Sequence, residues 1–235
     1  MIFKAREDVF AKQTLQKGKP VYMPAYDVDW EAFAEHKSKG GTMQNFPGKH
    51  YASLTGLVLE KHFKGKETIA VYPLLADNTS WWIVADISKP VEDNKEDSFI
   101  SLCRKFIDAC SQYHLAAYPE YFESTGHYRV WFFFEQPYPA VKSRLLIAEL
   151  LFKATVFEER GAALKKLSPG QDILSGKGFG SLVTLPLHRY LSDKKKSGFT
   201  DSTQLQVLPD QFAFLQTIQQ IPLATLEQCY ESIFP

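Results

Sequence analysis

Hydrophobic and polar positions along the chain mark out an alternation of helices and strands. Residues 1–20, "MIFKAREDVFAKQTLQKGKP", carry apolar side chains at helical spacing from Phe3 to Leu15 and stop at Gly18 and Pro20, which predicts a helix. "DWEAFAEH" predicts a short helix capped by Asp29, because an Asp side chain accepts the first free backbone N–H groups. "GGTMQNFPGKHYAS" reads as a basic loop leading into a helix over "LTGLVLEKHFKG" that ends at Gly65. "ETIAVYPLLADNTSWWIVADI" reads as strand, Asp-Asn turn, strand, the pattern of a hairpin or meander. Its second strand runs out through Asp86 and Ser88 into a loop that holds Pro90, Glu92 and Asp93.

"EDSFISLCRKFIDACSQY" places Phe99, Leu102, Phe106, Ile107 and Cys110 on one helical face. The chain then returns through "LAAYPEYFEST" to "HYRVWFFFEQ", a strand too apolar to face solvent. "AVKSRLLIAELLFKATVFEER" is the strongest helix, following a turn at Pro137 and Pro139. A glycine-rich loop, "LSPGQDILSGKGFG", precedes a short strand over "SLVTLPLH". The basic "RYLSDKKKSG" and "FTDSTQLQVL" follow, and from "PDQFAFLQTI" onward the chain is mostly helical. The central order of strand, strand, helix, strand, helix, strand predicts an α+β layer, with helices on one face of a mostly antiparallel sheet.

Length and charge narrow the function classes. At 235 residues the chain is one large domain or two intimate lobes. Lys plus Arg and Asp plus Glu each count 27, so bulk charge gives no support for nucleic-acid binding, which must rest on local patches. Cys103, Cys110 and Cys229 form no CxxC pair. Cys103 and Cys110 are two helical turns apart and read as buried thiols. An odd cysteine count without a signal peptide predicts a reducing cytoplasm. No apolar run approaches the roughly 20 residues a membrane span requires.

Five stretches, in order, carry a resemblance: "FKAREDVFAK", "YPLLADNTSWWIVADI", "YPEYFESTGHYRVWFFFEQPYPA", "SPGQDILSGKGFGSLVTLPLH" and "LPDQFAFLQTI". Together they resemble the archaeo-eukaryotic primase superfamily, in particular the primase domain of the bacterial TOTE conflict systems. The resemblance implies a primase-polymerase fold: an RRM-like antiparallel sheet with packed helices plus a smaller N-terminal αβ lobe, the site lying in the cleft between. On this pattern residues 1–65 form N-terminal helical and loop elements, 66–218 the catalytic-type αβ core, and 219–235 a C-terminal helix. The family pattern also implies paired acids at one strand end, a Ser-x-His type motif on a neighbouring strand, and a later acid. Such acids hold two divalent metals, Mg²⁺ or Mn²⁺, that clamp a nucleoside triphosphate.

Carried over residue by residue, the match is partial. Asp86 falls on the first acid of the Asp-x-Asp pattern, but the second position is Ser88, a neutral ligand where a charge is expected. Glu92 and Asp93 are separated from the strand by Pro90. Arg129 stands immediately before Val130 and Trp131, where the family has histidine, and His127 lies two residues earlier on the same strand face. Arginine binds phosphate bidentately, so the resemblance implies a phosphate role for Arg129. "GFTD" resembles the family's Phe-x-Asp strand and makes Asp201 the remaining acid and second metal ligand. The resemblance further places Lys177, in "GKGFGS", and His188 near the phosphates.

Plainer readings stand beside these. Asp86 reads equally as a strand-end acid, Asp201 as a turn residue between Thr200 and Ser202, and His127 as a surface histidine. "DKKKSG", with Lys194, Lys195 and Lys196, reads as a solvated hairpin tip or as a set of phosphate-backbone contacts. The rings from Trp131 to Phe134 alternate faces. They belong to the core unless one is exposed to stack a base. Three functions compete: an active metal-dependent DNA or RNA primase-polymerase, a degenerate module that binds nucleic acid or nucleotide without polymerising, and a structural adaptor. The losses at Ser88 and Arg129 favour the second, because such site groups act as a unit. Its expected ligand is a single strand or a primer-template junction, with Mg²⁺ or Mn²⁺ needed only if the site is functional. Its setting would be a defence or mobile-element complex, with any helicase or nuclease as a separate polypeptide.

Overall fold

A computed structural model describes residues 2–88, 96–122, 126–155, 164–176, 178–188 and 197–235. Its centre is a five-stranded sheet built by a split β-α-β pattern. Strand β6 (Thr79–Ile87) leads to helix α3 (Glu96–Gln112), then to the hairpin of β7 (Tyr118–Phe122) and β8 (His127–Pro139). Helix α4 (Ala140–Thr155) returns the chain to β9 (Leu164–Ser168), and β11 (Gly198–Phe199) adds to the edge. The strand order is β11-β7-β8-β6-β9, with every pair antiparallel. "YPEYF", expected only as a return, is therefore strand β7.

A period of two divides each central strand between two cores. Ile83, Ala85, Ile87, Val130, Phe132 and Phe134 face α3, α4 and the C-terminal α6 (Leu223–Ile233). The expected thiols Cys103 and Cys110 lie in this core, as does Cys229, and all three are free. Trp82, Val84, Trp131 and Phe133 face the opposite way, with Phe199. Every ring from Trp131 to Phe134 is buried, so none is available to stack a base.

The second core is closed by a smaller sheet of order β10-β5-β1-β2, made of β1 (Phe10–Gln16), β2 (Lys19–Pro24), β5 (Ile69–Val71) and β10 (Val183–Thr184). Here the first expectation fails: residues 3–15 hold no helix. Lys17 and Gly18 both have positive φ, 51° and 76°, which makes a two-residue turn suited to the twist of a hairpin. Gly18 thus turns a hairpin and does not end a helix, and β1 is fixed in the extended state by ladders to both β2 and β5.

The expected β5–β6 hairpin fails too. Asn78 does turn the chain with φ 64°, but β5 and β6 belong to different sheets. Pro73 follows closely on β5 and has no N–H to continue a ladder. The other helices match expectation: α1 (Trp30–Ser38) is capped by Asp29, whose carboxylate accepts from the Glu31 and Ala32 N–H groups. A short ladder of β3 (Tyr26–Asp27) with β4 (His50–Tyr51) flanks α1. Helices α2 (Gly56–Phe63) and α5 (Gln211–Thr217) complete the smaller lobe and the edge near β11.

His62, on α2, is fully buried and joins three segments. Its Nδ1 accepts the Ile69 N–H at 3.1 Å, which leaves the proton on Nε2 to donate to the Pro186 carbonyl at 3.0 Å. Burial pushes its pKa down to about 4.

Candidate functional site

The period of two that buries Trp82 and Val84 points Asp86 toward the same side, into the cleft between the two sheets. The register then aligns one row across four strands: Lys166 on β9, Asp86 on β6, Arg129 on β8 and Glu120 on β7. Charge alternates along the row, as favourable cross-strand pairing requires.

At its centre Arg129 Nε donates to Asp86 Oδ1 at 2.7 Å, with the side chains only 12% and 15% exposed. Arg129 Nη1 donates across the cleft to the Thr184 carbonyl of β10 at 3.2 Å, tying one sheet to the other. The guanidinium also lies 4.9 Å over the Phe122 ring. His127, directly opposite Phe122 on the hairpin, stacks on that ring at 4.6 Å with an interplanar angle of 10°. Asp86, Arg129 and His127 are thus brought to one cleft face. Ser88 follows at the mouth, half-buried, just past the end of β6.

Glu120, beyond Arg129, belongs to none of the sequence motifs, because "YPEYF" does not read as a strand on its own. It is 2% exposed and accepts the Trp131 Nε1–H at 2.8 Å. Burial lifts its pKa to about 7, against the pull of Arg129 and the Trp131 hydrogen bond, while Asp86 adds to the rise. The available signal was alternation: Tyr118, Glu120 and Phe122 share a face opposite Pro119 and Tyr121.

The structure does not bring Asp201 to this row. Strand β11 is separated from β6 by β7 and β8, three strand spacings or about 14 Å. The Asp201 carboxylate closes its own turn instead: Oδ1 accepts from the Thr203 and Gln204 N–H groups and Oδ2 from Gln206. Burial works against its charge, but the backbone donors of Gln204, Gln206 and Thr203 outweigh burial and hold its pKa below the usual range. Asp201→Ala is expected to cost about 1–2 kcal/mol in urea unfolding, through loss of these acceptors, and to leave phosphate binding at Arg129 unchanged.

His188 is exposed beyond β10, with Nε2 3.2 Å from Thr68 Oγ1 and its ring 5.2 Å from that of His62. The glycine-rich loop is laced to itself and to the hinge before β6. Gly170 N–H donates to Ser181 Oγ, Ser181 N–H to Gln171 Oε1, and Leu174 N–H to Asn78 Oδ1. Gly180 has φ 87°, and a Cβ there would meet Gln171 Oε1 at 2.9 Å. Lys177, Lys194, Lys195 and Lys196 lie outside the described residues, as do Glu92 and Asp93.

A divalent cation needs several anionic oxygens converging on one point. Here the Asp86 carboxylate faces the Arg129 cation, Ser88 is neutral, and Asp201 is three strands away. Among the described residues no three of His, Cys, Asp or Glu group so as to hold a metal ion. The described residues of the cleft therefore do not fit a two-metal site. They do fit an anion: of the five guanidinium N–H donors, Nε and Nη1 each spend one, and Nη2 has no protein acceptor among the described residues.

Comparison with known proteins gives a family and a fold. The family described as "TOTE conflict system, Archaeo-Eukaryotic Primase domain" matches residues 1–229. Among solved structures, the polymerase domain of Mycobacterium tuberculosis Ligase D, in complex with DNA, is similar at 12% identity and a TM-score of 0.46. That similarity covers 97% of this chain and 81% of the other. No curated protein matches the sequence.

Proposed function

We propose that this chain, which belongs to the archaeo-eukaryotic primase domain family of TOTE conflict systems, binds the phosphates of a nucleotide or a nucleic-acid strand at Arg129 and does not polymerise. The observation that carries this reading is the Asp86–Arg129 pair. The acid that would anchor a metal faces a fixed cation, and that cation keeps donors suited to a phosphate. His127 stacked on Phe122 and the neutral Ser88 frame the mouth beside it. Lys177, His188 and the basic run Lys194, Lys195 and Lys196 would add contacts to a strand backbone, without sequence preference.

The working context we assign is a cytoplasmic defence or mobile-element assembly, with helicase or nuclease activity on separate polypeptides. The three free thiols suit a reducing compartment. Among the described residues no helix is long and apolar enough to cross a membrane.

Binding of labelled single strands and primer-template junctions at rising salt tests this directly. Affinity is expected to fall linearly on logarithmic axes, as counterions return to the phosphates. Labelled nucleotide with Mg²⁺ or Mn²⁺ is expected to show no incorporation above the blank. Incorporation abolished by Asp86→Ala would instead make the chain an active metal-dependent polymerase. Absence of any binding at low salt, together with capture of a protein partner unaffected by Arg129 substitution, would make it an adaptor.

A further inference from the structure

We infer that Glu120 is a positioning residue that sets the affinity of the cleft for phosphate: it is a second, buried carboxyl facing Arg129, and its protonation decides how much of that cation a ligand feels. The inference rests on the phosphate-binding reading above and specifies how that site is regulated.

The geometry comes first. Glu120 and Arg129 are direct cross-strand partners on one face of the β7–β8 hairpin, which places their Cβ atoms about 5 Å apart. On its other side Arg129 has Asp86. A guanidinium between two carboxyls is balanced by Asp86 alone when Glu120 holds a proton and is over-compensated when both carboxyls are ionised. Among the described residues the row's other cation, Lys166 of β9, lies two strands beyond Arg129, on the far side of Asp86. Strand β8 presents Arg129 and the Trp131 indole, and β6 presents Asp86 beyond them. The edge strand β11 presents Phe199 opposite Glu120. The Gln211 side chain of α5 is spent on the backbone of Phe199 and Leu208. The N-terminal segment covers the sheet with Phe3, packed on Trp131 and Phe199. On β7 itself Tyr118 bonds to Gln219, and one row toward the mouth His127 stacks on Phe122.

With Glu120 neutral, the trio Asp86, Arg129 and Glu120 carries no net charge. With Glu120 ionised it carries one negative charge, in a site shielded from water, and repels an incoming phosphate. Burial brings this transition to about pH 7. By linkage, a phosphate bound at Arg129 raises the affinity of Glu120 for its proton by the same factor that the proton strengthens phosphate binding.

The test is binding of inorganic tripolyphosphate, in chelator at low salt, from pH 6 to pH 8.5. Wild type, Glu120→Gln and Arg129→Met are compared. Glutamine keeps the shape and still accepts the Trp131 N–H. Between the two ends of the range, wild-type affinity is expected to fall about tenfold more than that of Glu120→Gln, which holds the tighter value. Titration of the ligand itself cancels in that ratio. Parallel profiles for wild type and Glu120→Gln would overturn the inference and leave the phosphate site standing. No binding by wild type at any pH, or binding equal in Arg129→Met, would overturn the phosphate reading and this inference with it. Carbon-13 NMR of the Glu120 carboxyl in unmutated protein gives a second readout. Its midpoint is expected to move upward when tripolyphosphate is added, and an unmoved midpoint would overturn the inference.

Discussion

Arg129→Met is expected to lower the stability of the fold by about 3–5 kcal/mol, although methionine preserves most of the apolar stem. The loss comes from what is left behind. Asp86, 15% exposed, would lose its hydrogen-bonded cation and keep only the exposed Lys166 across the β6–β9 ladder to face its charge, and the Thr184 carbonyl would lose its donor across the cleft. The partner change Asp86→Asn removes that stranded charge. The double variant is therefore expected to recover more than half of the loss, giving a coupling of at least about 2 kcal/mol in a double-mutant cycle. Urea unfolding measures all four proteins. Additive single effects would mean that the pair is incidental and that Asp86 is held in place by something else.

The second large effect is a dependence of stability on pH. Glu120 holds its proton more tightly in the folded chain, at about 7 against the ordinary 4.5. Its contribution is fully present below pH 4.5 and is lost as pH rises to about 7, a change of about 3 kcal/mol. His62 works in the opposite sense. Its folded value of about 4 lies below the ordinary 6.5, so its contribution is present above pH 6.5 and is lost as pH falls to about 4. The two slopes oppose each other where the windows overlap. Glu120→Gln removes one of them, so its stability is expected to rise by about 2.4 kcal/mol between pH 4 and pH 6.5 relative to wild type. Urea midpoints at four or five pH values check this, and parallel curves would refute it.

What was legible in the sequence follows from which signals are local. Helices α3 and α4 stand out because their apolar stripes repeat along one segment, and Asp29 marks a helix start that the structure keeps. The family resemblance located Asp86 and Arg129, the two residues that meet in the cleft. It could not show that they meet each other, since that depends on the β6–β8 register. Strand β1 reads as a helix in the sequence because its partners, β2 and β5, supply the order that its own helical spacing conceals. Glu120 escaped for a related reason. A glutamate after Pro119 looks like loop chemistry until the β7–β8 pairing buries it. Asp201 shows the reverse: its motif match was visible, whereas the turn that occupies its carboxylate depends on backbone groups three to five residues on.

The central claim is that Arg129, and not a metal held by Asp86, receives the phosphates. Calorimetric titration of a nucleoside triphosphate, first in chelator and then with Mn²⁺, tests it most directly. The affinities are expected to agree within a factor of about three, and to fall by about tenfold or more in Arg129→Met, the loss of one charge-assisted contact. Binding that requires Mn²⁺ and disappears in Asp86→Asn would contradict the account and restore Asp86 as a metal ligand.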